Sequence, residues 1–350
     1  MRVLIVTVES RIFHLTRFAD ELKKLGVNCN IINDKEFLDK SYNIISNYKK
    51  NKRFKTILDK YAPNYVLLDR HSRLGLSVLE KNIPLLVTVR GHIWKEEQWA
   101  TETLYKNQIG KLSIKRKREI IKKCLEGAEI ILPLSNYLTN IIQEYFPEKK
   151  ILQLSISSRD SKDWESGEGM ELVHPCVGFL QGANIWGKTK GLIDFEAVIK
   201  ELPDVMFYWA GDGIYSQQVL EKFNKYENFK WLGNLEYPNL VKKFLSDIDV
   251  YALPTGMDTL GQSVIEASLM KKPVIATNVG GIPEVIENGS TGYLIENDEH
   301  DVWINKIKFL LSDKKNRERL GENGRKVMIE KFNWEKTAKR FLEILNQMES

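Results

Sequence analysis

The sequence predicts an α/β chain built from two doubly wound parallel-sheet domains, and three observations carry that expectation. Short apolar runs alternate with amphipathic stretches of helical period along the chain, the pattern of βα units feeding a parallel sheet. The 350 residues suffice for two domains of ordinary size, each burying its own core. The rhythm breaks over 156–171, a mostly polar segment holding Ser157, Ser158, Asp160, Ser161, Gly167 and Gly169, and restarts with an apolar run at Cys176. Domains are therefore expected over 1–170 and 171–333, with a closing helix over 334–350.

In the first half, strands are expected at 3–8, 27–32, 65–69, 85–89, 130–134 and 151–155. Between the first two, Phe13, Leu15, Phe18, Leu22 and Leu25 fall toward the core from a helix over 11–25 that Gly26 stops. The loop after the first strand, Thr7-Val8-Glu9-Ser10-Arg11-Ile12-Phe13-His14, holds no glycine. After the fourth strand come Arg90, Gly91 and His92, at the carboxyl edge where open α/β sheets bind ligands. Arg90 suits a phosphate or carboxylate bound bidentately. His92 is a polar contact, a proton relay or an exposed loop residue.

Bulk properties bound the partners. With 43% hydrophobic and 28% charged residues the chain has a soluble globular balance. No run approaches the about eighteen apolar residues of a membrane span, and because the first residues read directly as a strand, no signal peptide is expected. Cys29, Cys124 and Cys176 are odd in number and far apart, which predicts neither a disulfide framework nor a metal cluster. The chain reads as cytoplasmic.

The net charge of +5 is divided unevenly: residues 1–172 hold 30 Lys+Arg against 22 Asp+Glu, and the remainder 22 against 25. Two stretches explain the excess. Residues 44–61 place Ile44, Tyr48, Phe54, Ile57, Leu58 and Tyr61 near one face, with Lys49, Lys50, Lys52, Arg53, Lys55 and Lys60 elsewhere. Residues 109–125 set Lys111, Lys115, Arg116, Lys117, Arg118, Lys122 and Lys123 around Ile114, Ile121 and Leu125. Both read either as solvated helix faces or as peripheral docking on anionic lipid at the inner face of a membrane. A nucleic-acid partner is disfavoured, because the second stretch lacks aromatic residues to stack on bases and those of the first look core-facing.

The second half gives strands at 176–180, 205–210, 229–232, 250–253 and 273–277, and closing helices at 298–312, 314–330 and 334–348. Its densest stretch begins at Val250. An apolar strand breaks at Pro254 and Gly256, and a helix opens near Gly261, with Asp258 and Glu266 eight positions apart across the junction. Free amides at a helix start attract phosphate, and carboxylates on either side accept hydrogen bonds from sugar hydroxyls. The stretch reads D-T-L-G-Q-S-V-I-E-A, then P-V-I-A-T-N-V-G-G-I-P-E-V-I-E-N-G-S-T-G.

That segment resembles the donor-binding core of retaining GT-B glycosyltransferases, glycosyltransferase family four of the group 1 type, whose pattern is E-G-F-G-x-x-x-x-E-A followed by P-V-I-A-T-x-x-G-G-I-P-E-V-I-x-x-G-x-T-G. The first acid here is Asp258, one methylene shorter. The resemblance implies two Rossmann-like domains facing a cleft, with the last helix packing back on the first. It implies a nucleotide-sugar donor, UDP favoured and GDP possible, and an acceptor that is a glycan, lipid-linked or a small molecule, as in cell-envelope polysaccharide synthesis.

Roles follow residue by residue. Glu266 holds the ribose, while Asp258 and the amides of Thr259, Leu260 and Gly261 hold the sugar. Gln262 and Ser263 meet the donor at the helix start. Lys190 with Gly191 matches the end of the family's G-R-x-x-x-x-K-G diphosphate loop; Ala183 stands at its Arg, and Lys188 supplies the missing charge. The Gly211-x-Gly213 turn lets backbone approach the donor. Arg90 takes the place of the family's His, with His92 two residues on, so Asp258, Arg90 and His92 form the expected catalytic set.

No cofactor and no metal are expected: there is no His/Cys cluster, and Asp247-Ile248-Asp249 precedes its strand. The alternatives are a non-catalytic nucleotide-sugar-binding protein of this fold and a GT-B sugar-nucleotide epimerase.

Overall fold

The computed structural model describes residues 1–38 and 44–349, with the backbone alone over 44–49 and at 349. The Ile44, Tyr48 and Lys49 side chains invoked for the first basic stretch lie outside that description. In chain order the elements are β1 (Arg2–Thr7), α1 (Glu9–Lys24), β2 (Asn28–Asn33), α2 (Ile44–Tyr61), β3 (Tyr65–Leu68), α3 (Arg73–Leu79), β4 (Leu85–Val89), α4 (Ile93–Thr103), α5 (Gln108–Gly127), β5 (Ile130–Pro133) and α6 (Asn136–Tyr145). There follow β6 (Cys176–Leu180), α7 (Trp186–Asp194), α8 (Glu196–Glu201), β7 (Met206–Ala210), α9 (Ser216–Phe223), β8 (Phe229–Gly233), α10 (Asn239–Asp247), β9 (Val250–Leu253), α11 (Gln262–Leu269), β10 (Val274–Thr277), β11 (Gly292–Ile295), α12 (His300–Ser312), α13 (Lys314–Lys331) and α14 (Trp334–Glu349).

The chain forms two compact units, one of residues 1–92, 104–158 and 332–350, the other of 93–103 and 159–331. In the first unit the parallel sheet runs β2-β1-β3-β4-β5. Strands β3, β4 and β5 are buried on both faces, as is usual in an all-parallel sheet, whereas the edge strand β2 is largely exposed or half-buried. Phe18 of α1 packs against Trp334 and Phe341 of α14, at ring separations of 5.9 and 5.5 Å, which ties the last helix into this unit's core.

A strand expected at 151–155 does not form; Ile151 makes a single bridge to Ile131. Leu152 and Leu154 donate to the carbonyls of Ile131 and Pro133, but Pro133 has no N–H to return the next bond. The ladder stops there.

In the second unit the parallel sheet runs β11-β10-β9-β6-β7-β8. The chain leaves β8 at one edge and re-enters beside β6 as β9. That makes the β6/β9 boundary the topological switch point, where loops diverge and leave a crevice at the strands' carboxyl ends. Helix α4 belongs to this unit because Trp99 packs on Gly187 and Thr103 Oγ1 lies 2.5 Å from the Tyr215 hydroxyl. At the centre of its core Phe179 stacks on Phe207, and Phe195 meets Phe179 and Trp303 edge-on.

Candidate functional site

The two loops beside the switch point are held together by backbone. The expected diphosphate loop that ends at Lys190 and Gly191 is helical from Trp186 onward, since Thr189 N–H closes a turn on the Ile185 carbonyl and no proline interrupts. A Cβ on Gly191 would sit 2.4 Å from the Gly256 nitrogen, and Gly256 N–H donates to the Gly187 carbonyl at 3.0 Å. Only glycine allows α7 to lie this close to the loop after β9.

That contact delivers Lys188 to Asp258. Lys188 Nζ donates to Asp258 Oδ2 at 2.6 Å, while Oδ1 accepts the Leu260 and Gly261 N–H groups at 3.1 and 2.8 Å. Burial pushes the Asp258 carboxyl up, but the Lys188 charge and the two amides outweigh it and hold the group below its ordinary value. Gly261 closes the turn at φ 82°, a left-handed conformation suited to glycine, and α11 starts at Gln262. The first-turn amides of an α-helix lack intrahelical partners, so this start presents donors beside the Lys188–Asp258 pair. Ser263 Oγ at the same start accepts the Tyr251 hydroxyl at 2.6 Å.

Glu266, one turn into α11, is 5% exposed. Its Oε1 accepts from Arg159 Nε and Nη2 at 3.0 and 2.7 Å and from the Tyr237 hydroxyl at 3.0 Å, whereas Oε2 accepts nothing among the described residues. Arg159 Nη2 also lies 3.4 Å from Gln262 Oε1. Burial and the Glu266 charge push the Tyr237 phenol well up, so it stays a neutral donor. Sequence reasoning missed Arg159 and Tyr237. A signal existed: α11 carries no cation to pair a buried glutamate, so one had to come from elsewhere.

Other expected residues fall differently. Lys190 points to solvent and pairs with Asp194 one helical turn on, at 2.5 Å. The close approach at Gly211 and Gly213 is to the chain's own backbone: a Cβ would meet the Gln181 carbonyl oxygen at 2.0 Å and the Ala183 carbonyl carbon at 2.4 Å. Two of the three amides assigned to the sugar, those of Leu260 and Gly261, are taken up by Asp258 itself. Ala183 exchanges backbone bonds with Asp212 and Tyr215, so that position serves the loop rather than a charge.

In the first unit, Thr7, Asp69 and Arg90 meet at the carboxyl ends of β1, β3 and β4. Asp69 Oδ2 accepts from Thr7 Oγ1 at 2.8 Å and Arg11 Nε at 3.0 Å, and Oδ1 lies 3.4 Å from Arg90 Nη1. Burial raises the Asp69 carboxyl, and Arg90 with Arg11 more than reverse that. Two guanidinium groups to one carboxylate leave the cluster cationic. Arg11, in the glycine-free loop region, was not anticipated. His92 stands edge-on to Tyr137 at 6.2 Å.

Comparison with known proteins reaches one segment of the chain most clearly. Residues 187–327, from the turn that carries Lys188 to the end of the second unit, match the model of the glycosyl transferases group 1. This segment, less than half of the chain, is similar to the group 1 glycosyl transferases. The chain is 32% identical over 151 residues to the sulfoquinovosyl transferase SQD2 of Arabidopsis thaliana, covering 42% of this chain and 29% of that protein. The chain spans less than two thirds of the length of the curated relatives it matches.

In fold the whole chain is similar to a sucrose-phosphate synthase from Thermosynechococcus elongatus, with TM-score 0.78 at 17% identity and 99% of both chains covered. It is likewise similar to HepE of Anabaena, solved with UDP and glucose, with TM-score 0.72 at 13% identity over 99% of both chains. The fold around the group 1 segment is GT-B, with a Rossmann-like sheet in each unit.

Proposed function

We propose that this chain is a metal-independent, retaining glycosyltransferase that takes a sugar from a nucleoside diphosphate sugar, UDP-linked before GDP-linked. The observation that carries the reading is Lys188 Nζ on the Asp258 carboxylate beside the amides of α11, at the switch point of a group 1 segment. UDP is preferred because a structural neighbour, HepE, is solved with UDP and with UDP-glucose.

The chemistry follows from charge placement. The diphosphate lies against the α11 start and Lys188, whose fixed charges stabilise it as it departs and the sugar gains oxocarbenium character. Asp258, held ionised, accepts from sugar hydroxyls in exchange for part of its bond to Lys188. The open Oε2 of Glu266 accepts from the ribose, with Arg159 and Tyr237 fixing the carboxylate's orientation. The acceptor is a glycan, lipid-linked or a small molecule.

Lipid linkage is favoured by α5. Lys111, Lys115, Arg116, Lys117 and Lys123 are exposed without ion-pair partners among the described residues, and Ile109 and Leu112 beside them are 82% and 49% exposed. The α2 stretch supports it less, because Arg53 and Lys55 pair with Glu36 and Glu80.

The test is turnover and binding of a panel of UDP- and GDP-sugars by purified protein. Donor hydrolysis or transfer with one of them is expected. Binding without turnover under any acceptor supports the non-catalytic alternative, and 2-epimerised donor supports the epimerase.

A further inference from the structure

The amino-terminal edge of the second unit's sheet, opposite the edge that carries Asp258, gathers side chains the proposed reaction does not use. His174 and Cys176 lead into β6, and Asp247 and Asp249 lead into β9, which pairs with β6. His174 Nδ1 lies 2.8 Å from Asp249 Oδ2 and 3.6 Å from Cys176 Sγ, and the three donor atoms are all within 4.8 Å of one another. His174 Nε2 faces Asp247 Oδ1 at 3.2 Å. Asp247 is in turn fixed by the N–H groups of Met170 and Leu172, and Asp249 Oδ2 by that of Cys176.

We propose that His174, Cys176 and Asp249 form a Zn²⁺ site that ties the start of β6 to the start of β9. Tetrahedral zinc with bonds of about 2.0–2.1 Å to nitrogen and about 2.3 Å to sulfur sets an N···S separation of about 3.6 Å. The separation present is 3.6 Å. The N···O pair at 2.8 Å opens by about half an ångström when zinc replaces the proton between them.

One imidazole, one thiolate and one carboxylate is a donor set suited to zinc rather than to magnesium or calcium, which take oxygen. Asp247 holds the ring's second N–H, as carboxylates do behind zinc-bound histidines. Charge also balances. The Cys176 thiolate, Asp247 and Asp249 contribute three negative charges, and Lys272, whose ammonium donates to the Ser246 and Ile248 carbonyls, contributes one positive. The sum of −2 matches a divalent ion. Metal binding supplies the deprotonated thiol that burial otherwise opposes.

The test is titration of the full, metal-stripped chain with Co²⁺ as a spectroscopic stand-in. A thiolate-to-cobalt charge-transfer band saturating at one equivalent, reversed by Zn²⁺, is expected. Cys176→Ser abolishes the band, and His174→Ala weakens cobalt affinity by at least about tenfold, while Asp247→Asn weakens it about tenfold through ring orientation. His174 is 43% exposed, so its variant folds and decides the matter even where Cys176→Ser does not. No band in the parent chain, an unchanged band in Cys176→Ser, or unchanged affinity in His174→Ala overturns the site. None of these readouts depends on sugar transfer.

Discussion

Replacing Lys188 with methionine keeps the length of the side chain and removes the charge that faces Asp258. The two side chains are 25% and 12% exposed, so the pair is largely but not wholly desolvated. Breaking a buried ion pair from one side typically costs about 3–5 kcal/mol. Here Asp258 keeps two amide bonds to Oδ1 and Lys188 is a quarter exposed, so about 2–3 kcal/mol is expected. For a unit of this size that is a fall in Tm of about 5–10 °C at pH 7.

The sign of the pH dependence follows from the depressed carboxyl. Its stabilisation is present above the ordinary aspartate value of 3.8 and is lost as pH falls through the lower folded value. Lys188→Met raises that folded value, so acid unfolding moves to higher pH. The double variant Lys188→Met/Asp258→Asn recovers most of the stability, because no buried charge is left alone, yet nucleoside diphosphate binding stays weakened at least about tenfold. Thermal unfolding by circular dichroism and titration calorimetry read the two quantities. A Tm within about 1 °C of the parent, or a double variant no more stable than the single, refutes the assignment of Lys188 to Asp258.

Glu266→Gln is expected to lower nucleotide affinity about tenfold and also to destabilise the second unit by about 3 kcal/mol, since buried Arg159 loses its counter-charge; an unchanged dissociation constant in calorimetry removes Glu266 from the nucleotide site. Saturating EDTA should leave transfer within about twofold of the untreated rate, because Asp258 and Glu266 work through fixed protein charges; loss restored by magnesium or manganese, and not by zinc, refutes that chemistry. Vesicles with acidic lipid should sediment the chain at low salt and release it as the screening length shrinks below about 10 Å. The variant with Lys111, Lys115, Arg116 and Lys117 changed to Ser should stay in the supernatant, and equal recovery on neutral vesicles points to a soluble acceptor.

Much of the fold was legible from residue order alone. Every strand of both sheets except β11, which the motif at 273–292 leads into, is expected from residue order; strands such as β9 and β10 read as continuous apolar runs because a parallel strand buried on both faces is apolar throughout, whereas the edge strands β2 and β8 carry polar residues on exposed positions. The Asp258-to-Glu266 spacing was legible for a local reason: a turn that needs a left-handed residue at Gly261 and then a helix fixes where both carboxylates start and end. The partners of those carboxylates were decided only by tertiary structure. Lys188 meets Asp258 across 70 residues and Arg159 meets Glu266 across 107. His174 and Asp249 approach across 75. No spacing rule spans such distances, because the pairing depends on which strands become neighbours in the sheet and how closely a helix packs on the next loop. The same cause separates the two lysines expected at the diphosphate: with Gly187 and Gly191 setting α7 against the loop after β9, the helical turn carries Lys188 to Asp258 and Lys190 to solvent beside Asp194.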